Sequence, residues 1–160
     1  MLKHMKGNLL DLAEDGEFNI IIHGCNCQNT MGSGIAREIR ERYPEAYLVD
    51  QGTPKGARDK LGRYTVAPAE NFAIVNAYTQ YDFMPRGQDH FEYAAFQQIL
   101  DEFVERAEEN AGQVVLNFGF PYIGMGLAGG DATRIIPMLE NFAQRIEATG
   151  GTVTLVEFEQ

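Results

Sequence analysis

The chain has 160 residues, 44% of them hydrophobic and 22% charged, with a formal net charge of −10 at pH 7. This length fits a single domain, residues 1–160, and the acidic charge disfavours nonspecific binding to nucleic acid. No apolar stretch approaches the roughly 18 residues that a membrane span needs, and no apolar signal core follows the first residues. We therefore expect a cytoplasmic protein without a membrane partner.

The first half of the chain predicts strands and helices in alternation. Its expected elements are an edge strand over 1–6, a turn or short helix over 8–13, a strand over 19–22, helices over 34–43 and 45–51, and strands over 64–67 and 72–78. The strand over 19–22 is apolar without alternation, which is typical of a strand covered on both faces. Pro44 separates the two helices because proline disrupts a continuous helix. The turn over 68–71 predicts an antiparallel hairpin.

The second half continues this alternation. Its expected elements are a loop over 79–88, a long helix over 89–110, a strand over 113–118, a glycine-rich loop over 124–131, a helix ending at Gly150, and a strand over 152–158. Pro137 fits only the first turn of a helix, so we expect the regular helix to begin near Ile136. Strands that alternate with helices predict an α/β fold, a three-layer α/β/α sandwich, and the hairpin makes its central sheet mixed.

Two loops rich in glycine predict a single ligand cleft. The first glycine loop, residues 23–36, reads His-Gly-Cys-Asn-Cys-Gln-Asn-Thr-Met-Gly-Ser-Gly-Ile-Ala and stands between a strand and a helix. The second glycine loop, residues 124–131, reads Gly-Met-Gly-Leu-Ala-Gly-Gly-Asp. Strand ends meet at one edge of an α/β sheet, and a helix N-terminus offers free N–H groups to an anion. We expect the two loops to bind one phosphate-bearing ligand.

The second glycine loop also matches the dinucleotide-binding pattern G-x-G-x-x-G. That pattern belongs in the turn directly after a first strand, whereas residues 119–123 intervene here. Too little chain follows for a complete Rossmann half, so a Rossmann-type dinucleotide enzyme is a remote alternative. The sequence contains no Gly-Lys-Ser/Thr, which excludes a P-loop.

The polar and aromatic residues near the strand ends each allow two interpretations. His23 is either a general base that positions water or a structural histidine. Asn26 and Asn29 suit the hydroxyls of a sugar, or else hold the turns of their own loop. Asp131 is either a carboxylate at the reacting end of the ligand or a helix N-cap. Aromatic residues near strand ends either stack on a base or belong to the core, and here they are Phe158 and the group Tyr78, Tyr81 and Phe83.

The cysteines and the basic residues are less informative. Cys25 and Cys27 form His-x-Cys-x-Cys with His23, but a zinc site generally needs four ligands and the sequence has no second pair. We therefore expect buried thiols beside the first glycine loop, and neither a metal nor another cofactor. Four basic residues form a loop that is either solvated or attracts a phosphorylated substrate: Lys55, Arg58, Lys60 and Arg63.

With these motifs the chain resembles the macrodomains, the ADP-ribose-binding fold. Residues 6–10, Lys-Gly-Asn-Leu-Leu, are similar to the family's opening Gly-Asp-Ile/Leu motif. Residues 26–36 resemble its asparagine-containing, glycine-rich loop and the following helix, and residues 123–130 resemble its diphosphate loop. The forms at 23–27 and 126–131 look most like small stand-alone macrodomains, which include ADP-ribose-1″-phosphate phosphatases and ADP-ribosyl hydrolases. The similarity covers nearly the whole chain.

The resemblance implies roles by position. Asn8 would meet the adenine amine, although the family usually has Asp there, and Asn26 with residues 32–34 would hold the distal ribose. Residues 124–130, with Ile35, would wrap the diphosphate. The ligand-binding residues expected in all are Asn8, Leu9, Asn29, Gly32, Ser33, Gly34, Ile35, Gly124, Met125, Gly126, Leu127, Ala128, Gly129, Gly130 and Phe158.

The function expected from the resemblance is binding of ADP-ribose, or of an ADP-ribosylated small molecule or protein. Hydrolysis of a bond at the distal ribose, either a 1″-phosphate or an ester to protein, would follow. The expected catalytic residues are His23, Asp131 and Asn26. One hydrolase lineage uses a lysine after the central strand, but residues 79–82 contain none, so a covalent lysine mechanism is not expected. The alternative is a reader or scavenger of ADP-ribose without catalysis.

Overall fold

Six strands form one sheet in the computed structural model, which describes residues 1–126 and 128–159. They are β1 (Lys3–Gly7), β2 (Ile20–Asn26), β3 (Tyr64–Pro68), β4 (Ala73–Gln80), β5 (Asn117–Phe120) and β6 (Thr152–Phe158). Their order is β1-β6-β5-β2-β4-β3. Neighbouring strands are parallel except β3 and β4, which form the antiparallel pair predicted from the hairpin turn. The prediction of a mixed sheet is confirmed.

Within the described part of the chain, five α-helices cover the two faces of this sheet. They are α1 (Leu9–Glu14), α2 (Gly34–Arg42), α3 (Pro44–Gln51), α4 (Tyr93–Glu109) and α5 (Ala132–Glu147). Ile21 lies in one core cluster with buried residues of α1, α2 and α3, whereas Ile20 and Ile22 lie in the other with those of α4 and α5. Successive side chains of a strand point to opposite faces, so an unbroken apolar run serves both clusters. The three-layer α/β/α sandwich is confirmed.

The largest differences from the predicted strand boundaries are at the end of β2 and at the start of β5. β2 continues to Asn26 instead of ending at Ile22, because it stays paired with β4 as far as Gln80. Residues 23–26 of the first glycine loop therefore lie in the sheet. β5 occupies Asn117–Phe120 instead of 113–118, because Gln113 and Val114 close a turn by donating their backbone N–H groups to the Asn110 carbonyl. Only residues 121–123 then separate β5 from the second glycine loop.

The start of α5 also differs from the prediction. The helix begins at Ala132, and Pro137 lies inside it. Asp131 caps the first turn by accepting the Thr133 backbone N–H, so the helix starts before the proline. Pro137 leaves the Thr133 carbonyl without its helical donor, but both residues are exposed and water can bind that oxygen.

The strand order places a cleft between β2 and β5. The chain leaves β2 through α2 and α3 on one face, and leaves β5 through α5 on the other, so the carboxyl ends of these strands form a topological switch point. This order differs from that of a Rossmann fold, which excludes the remote dinucleotide-enzyme alternative. Among the described residues, no helix combines the length and apolar composition that crossing a bilayer requires.

Candidate functional site

A cavity of about 430 Å³ opens at the carboxyl ends of β2, β4 and β5. The first glycine loop lines it with residues 30–36, and the second glycine loop lines it with Gly124, Gly126 and Ala128. The two loops are distant in sequence and meet because β2 and β5 are neighbours in the sheet. This arrangement is the single cleft that the sequence predicted.

A second cavity of about 390 Å³, here called the apolar recess, continues the first toward β1 and β6. Leu9, Val156 and Phe158 line the apolar recess and do not line the first cavity. Gly34, Ile35, Pro121 and Tyr122 line both cavities, so the two form one elongated cleft. The cleft thus has an apolar recess at one end and two glycine loops in its middle.

Hydrogen bonds within the first glycine loop fix its shape. The Asn26 amide donates to Thr30 Oγ1 at 2.8 Å, and its Oδ1 accepts the Gln28 backbone N–H at 2.8 Å. Asn29 and Met31 both have positive φ angles, 59° and 51°, which turn the chain toward α2. Ser33 makes no side-chain cap at the start of α2, so the first backbone N–H groups of that helix are available to a ligand.

The second glycine loop needs glycine for packing as well as for backbone shape. Gly124 and Gly129 both have φ of 73°. A Cβ at Gly124 would collide with the Phe91 ring, and one at Gly129 would collide with the Gln88 carbonyl. The Gly130 N–H donates to the Gly124 carbonyl at 2.7 Å and closes the loop. Leu127, predicted to bind the ligand, lies outside the described residues.

No protein-family model matches the chain. By sequence, it is 29% identical over 164 residues to an uncharacterized 17.5 kDa protein of Enterobacteria phage T4, covering 99% of this chain and 97% of that protein. It is 27% identical over 152 residues to an ADP-ribose 1″-phosphate phosphatase of Scheffersomyces stipitis, covering 79% of this chain and 86% of that enzyme.

Solved structures resemble the chain along nearly its whole length. The macrodomain of Mycobacterium tuberculosis DarG superposes with a TM-score of 0.72 at 20% identity, covering 100% of this chain and 98% of that chain. A Trypanosoma brucei macrodomain in complex with ADP-ribose superposes with a TM-score of 0.63 at 14% identity, covering 98% of this chain and 63% of that chain. The chain has the macrodomain fold. The resemblance inferred from the loop motifs is thereby confirmed at the level of the fold.

Within this macrodomain fold, His23 lies in the sheet and not at the cavity. Its side chain is fully buried, and the cavity lining begins with its neighbour Gly24. Its Nε2 is 2.6 Å from Asn76 Oδ1, which acts as the acceptor because the Asn76 amide donates to the Ala46 carbonyl and to Thr65 Oγ1. Burial lowers the pKa of His23 to about 4, so the ring is neutral at pH 7. This placement favours the structural interpretation over the catalytic one.

Asp131 is likewise placed as a helix cap. Its Oδ1 accepts hydrogen bonds from the backbone N–H and the hydroxyl of Thr133, at 2.9 and 2.7 Å, and these bonds lower its pKa. The residue is exposed and is absent from the described lining of the cavity. Of the three predicted catalytic residues, only Asn26 lines the cavity.

The predicted ligand-binding residues divide into those that the macrodomain cleft brings together and those that it does not. Cleft residues predicted from the sequence are Leu9, Gly32, Ser33, Gly34, Ile35, Gly124, Gly126, Ala128 and Phe158. Asn29 is directed away from the cleft, since its amide donates to the Thr53 carbonyl and its Oδ1 accepts from Lys60 Nζ. Met125, Gly129 and Gly130 shape the second glycine loop without lining the cavity.

Asn8 has a structural role in addition to any contact with a ligand. Its Oδ1 caps α1 by accepting the backbone N–H groups of Leu10 and Asp11, both at 3.0 Å. Its amide donates to Glu38 Oε1 at 2.8 Å. Glu38 itself lines the apolar recess and was not singled out in the sequence, because a glutamate on a helix surface carries no local signal of a site.

Sequence reasoning also missed cavity residues that lie outside the glycine loops. Asp50, Gln80 and Arg86 line the cavity from α3, β4 and the segment that follows β4. Phe83, one of the aromatic residues weighed for stacking on a base, lines it from the same segment. Asp50 is only 1% exposed, its Oδ1 accepts the Tyr78 hydroxyl at 2.8 Å, and burial raises its pKa. No motif precedes these residues, and only the neighbouring position of β4 and β2 in the sheet could have indicated them.

The two cysteines are buried, and two of the four basic residues, Arg58 and Lys60, make contacts within the protein. Cys25 and Cys27 are free and buried, as predicted, and burial raises the pKa of the Cys25 thiol. Lys60 is 5% exposed and donates to the Cys27 carbonyl, so it braces the first glycine loop from behind. Arg58 stacks on Tyr81 with 3.9 Å from its guanidinium carbon to the ring centroid. Among the described residues, no group of three or more His, Cys, Asp and Glu side chains is placed to hold a metal.

Proposed function

We propose that the protein binds ADP-ribose along the cleft and hydrolyses a bond at the distal ribose, with a 1″-phosphate as the group removed. The observation that carries this proposal is that both glycine loops line one cavity that continues into an apolar recess. The phosphatase name of the Scheffersomyces stipitis relative and the ADP-ribose complex of the Trypanosoma brucei macrodomain support it.

The adenine ring binds in the apolar recess. Phe158 is 63% exposed, lines the recess and offers a ring for stacking, while Leu9 and Val156 supply apolar contacts. Glu38 is the carboxylate among the described recess residues, and it accepts the adenine amine in place of the aspartate that macrodomains usually have at position 8. Asn8 keeps Glu38 in place through its amide.

The diphosphate lies between the glycine loops. The uncapped start of α2 offers the backbone N–H groups of Gly34, Ile35 and Ala36, and all three residues line the cavity. Free N–H groups and the helix dipole favour an anion at this point. Gly126 faces them from the second loop, where a Cβ would meet no protein atom within 4 Å.

Hydrolysis then depends on positioning and on charge stabilisation by backbone amides. Water attacks the phosphorus, the bond from phosphorus to the 1″ oxygen breaks, and ADP-ribose and inorganic phosphate leave. Asn26 lines the cavity near this end, although its side chain is already bonded within the loop. Neither His23 nor Asp131 lines the described part of the cavity, and this observation favours a second candidate function: a reader of ADP-ribose without catalysis.

Calorimetry with ADP-ribose tests the binding that both candidates share. Gly32→Val and Gly126→Val each place a side chain where a Cβ meets no protein atom within 4 Å, at backbone angles open to other residues. We expect folded variants whose affinity for ADP-ribose falls more than about tenfold, because the new side chain clashes with the ligand. Gly52→Ala, at the end of α3 and away from the cavity, is the matched control.

Two outcomes decide between the candidates. No heat from the unsubstituted protein at millimolar ADP-ribose removes both of them. Binding without release of phosphate from ADP-ribose-1″-phosphate removes the phosphatase and leaves the reader.

A further inference from the structure

The cleft has two chemically different ends, and their order follows from the sheet. The apolar recess lies at the ends of β1 and β6, while Gln80, Phe83 and Arg86 line the cavity at the end of β4. β5 and β2 stand between β6 and β4. Three strand spacings of about 4.8 Å put the ends of β6 and β4 roughly 14 Å apart. A ligand with its base in the recess therefore presents its opposite end to the segment after β4.

Arg86 is the cationic side chain at this far end. Among the described residues that line the cavity, Arg86 and Asp50 are the only members of the charged residue types Arg, Lys, Asp and Glu. Asp50 is 1% exposed and accepts a hydrogen bond from the Tyr78 hydroxyl, whereas Arg86 is exposed. Within residues 1–126 and 128–159, Arg86 takes part in none of the ion pairs. Its guanidinium is available to an anion in the cavity.

The segment that carries Arg86 is anchored on both sides of it. His90 Nε2 lies 2.6 Å from the Pro85 carbonyl, and the His90 backbone N–H donates to the Ala128 carbonyl at 2.7 Å. Gln88 packs against Gly129 so closely that a Cβ there would collide with its carbonyl. The segment is thus fastened to the second glycine loop, and Arg86 keeps its position beside the cavity.

We propose that Arg86 binds a phosphate group on the distal ribose and makes the protein prefer a phosphorylated ligand end to an unmodified one. The inference rests on the proposed binding of ADP-ribose and adds the residue that reads the terminal group. Backbone amides of the glycine loops serve the diphosphate in the middle of the cleft, so a second anion needs its own cation. A planar guanidinium matches two oxygens of a phosphate. An ester to protein adds no charge at this point and would gain nothing from Arg86.

The test compares two ligands on the unsubstituted protein and three variants. Affinities for ADP-ribose and for ADP-ribose-1″-phosphate are measured by displacement of a fluorescent ADP-ribose, mixed rapidly and read before turnover. We expect Arg86→Gln to weaken binding of the 1″-phosphate about tenfold, which is what loss of one charge-assisted contact costs, and to leave ADP-ribose affinity nearly unchanged. Arg86→Lys should restore part of the preference. Arg134→Gln, which removes an exposed arginine stacked on Tyr93 outside the described cavity lining, should retain it.

The possible results separate this inference from the proposed function. An unchanged ratio of the two affinities in Arg86→Gln, or an equal loss for both ligands, overturns the role of Arg86 while ADP-ribose binding stands. An equal loss of the preference for the 1″-phosphate in Arg134→Gln also overturns it, since the preference would then depend on the net charge of the protein and not on Arg86. Failure of the unsubstituted protein to bind either ligand overturns both. A preference that declines as salt rises supports a contact with an exposed cation.

Discussion

Acidification should destabilise this protein through His23. The ring is fully buried and hydrogen-bonded to Asn76, and burial lowers its pKa from the ordinary value of 6.5 to about 4. Between pH 6.5 and about pH 4, His23 is mostly protonated in the unfolded chain and mostly neutral in the folded protein. Stability is therefore lost as the pH falls from 6.5 to about 4, and the loss levels off below that.

The size of the effect follows from the two pKa values. At roughly 1.4 kcal/mol per pH unit, the gap between 6.5 and about 4 corresponds to about 3 kcal/mol at full effect. About 2 kcal/mol of this should be lost by pH 5. A loss of that size is a large share of the 5–15 kcal/mol that stabilises typical domains.

Urea unfolding between pH 7.5 and pH 4.5 measures this loss. His23→Gln keeps an amide donor for Asn76 and does not titrate, so the difference in unfolding free energy between variant and unsubstituted protein should shift in favour of the variant as the pH falls. His4→Gln is the matched control, because His4 is exposed and its replacement leaves the buried ring in place.

Parallel pH profiles for the unsubstituted protein and His23→Gln would refute this reasoning, since they would show that His23 ionises equally in both states. The same variant tests the catalytic interpretation. If folded His23→Gln binds ADP-ribose normally but releases phosphate much more slowly than the unsubstituted protein, His23 acts in the reaction despite its burial.

Three further substitutions have expected outcomes. Asp50→Asn should raise the unfolding free energy at neutral pH, because burial raises the pKa of Asp50 above 3.8 and ionisation of its carboxyl therefore disfavours the folded state. The gain, measured by urea unfolding, should shrink toward zero below pH 4, and a gain that does not vary with pH would contradict this. Asp131→Ala should lower the melting temperature by removing the cap on Thr133, while calorimetry shows unchanged ADP-ribose affinity; a large loss of affinity would place Asp131 in the site. Phe158→Ala should weaken ADP-ribose binding about fivefold through lost stacking, with the melting temperature unchanged because the ring is 63% exposed, and equal affinity would show that the base binds elsewhere.

The sequence by itself determined the layers of the fold and the two ligand loops. Apolar runs such as 20–22, the turn at 68–71 and the spacing of apolar residues in α4 are local signals, because strand and helix formation depend on neighbouring residues. Glycines at 124 and 129 mark a loop whose backbone needs positive φ, which is also a local property. These signals were enough to indicate a macrodomain-like cleft.

The tertiary structure alone decided which polar side chains reach the ligand. β2 ends at Asn26 and not at Ile22 because β4 pairs with it that far, and this buries His23 in the sheet. Asp131 lies outside the described cavity lining, where its backbone N–H donates to the Tyr93 hydroxyl of α4 at 2.9 Å. Arg86 lies at the cavity because the segment after β4 is fastened to the second glycine loop. Each of these outcomes depends on contacts between residues far apart in the chain, whereas residue type and spacing report only on neighbours.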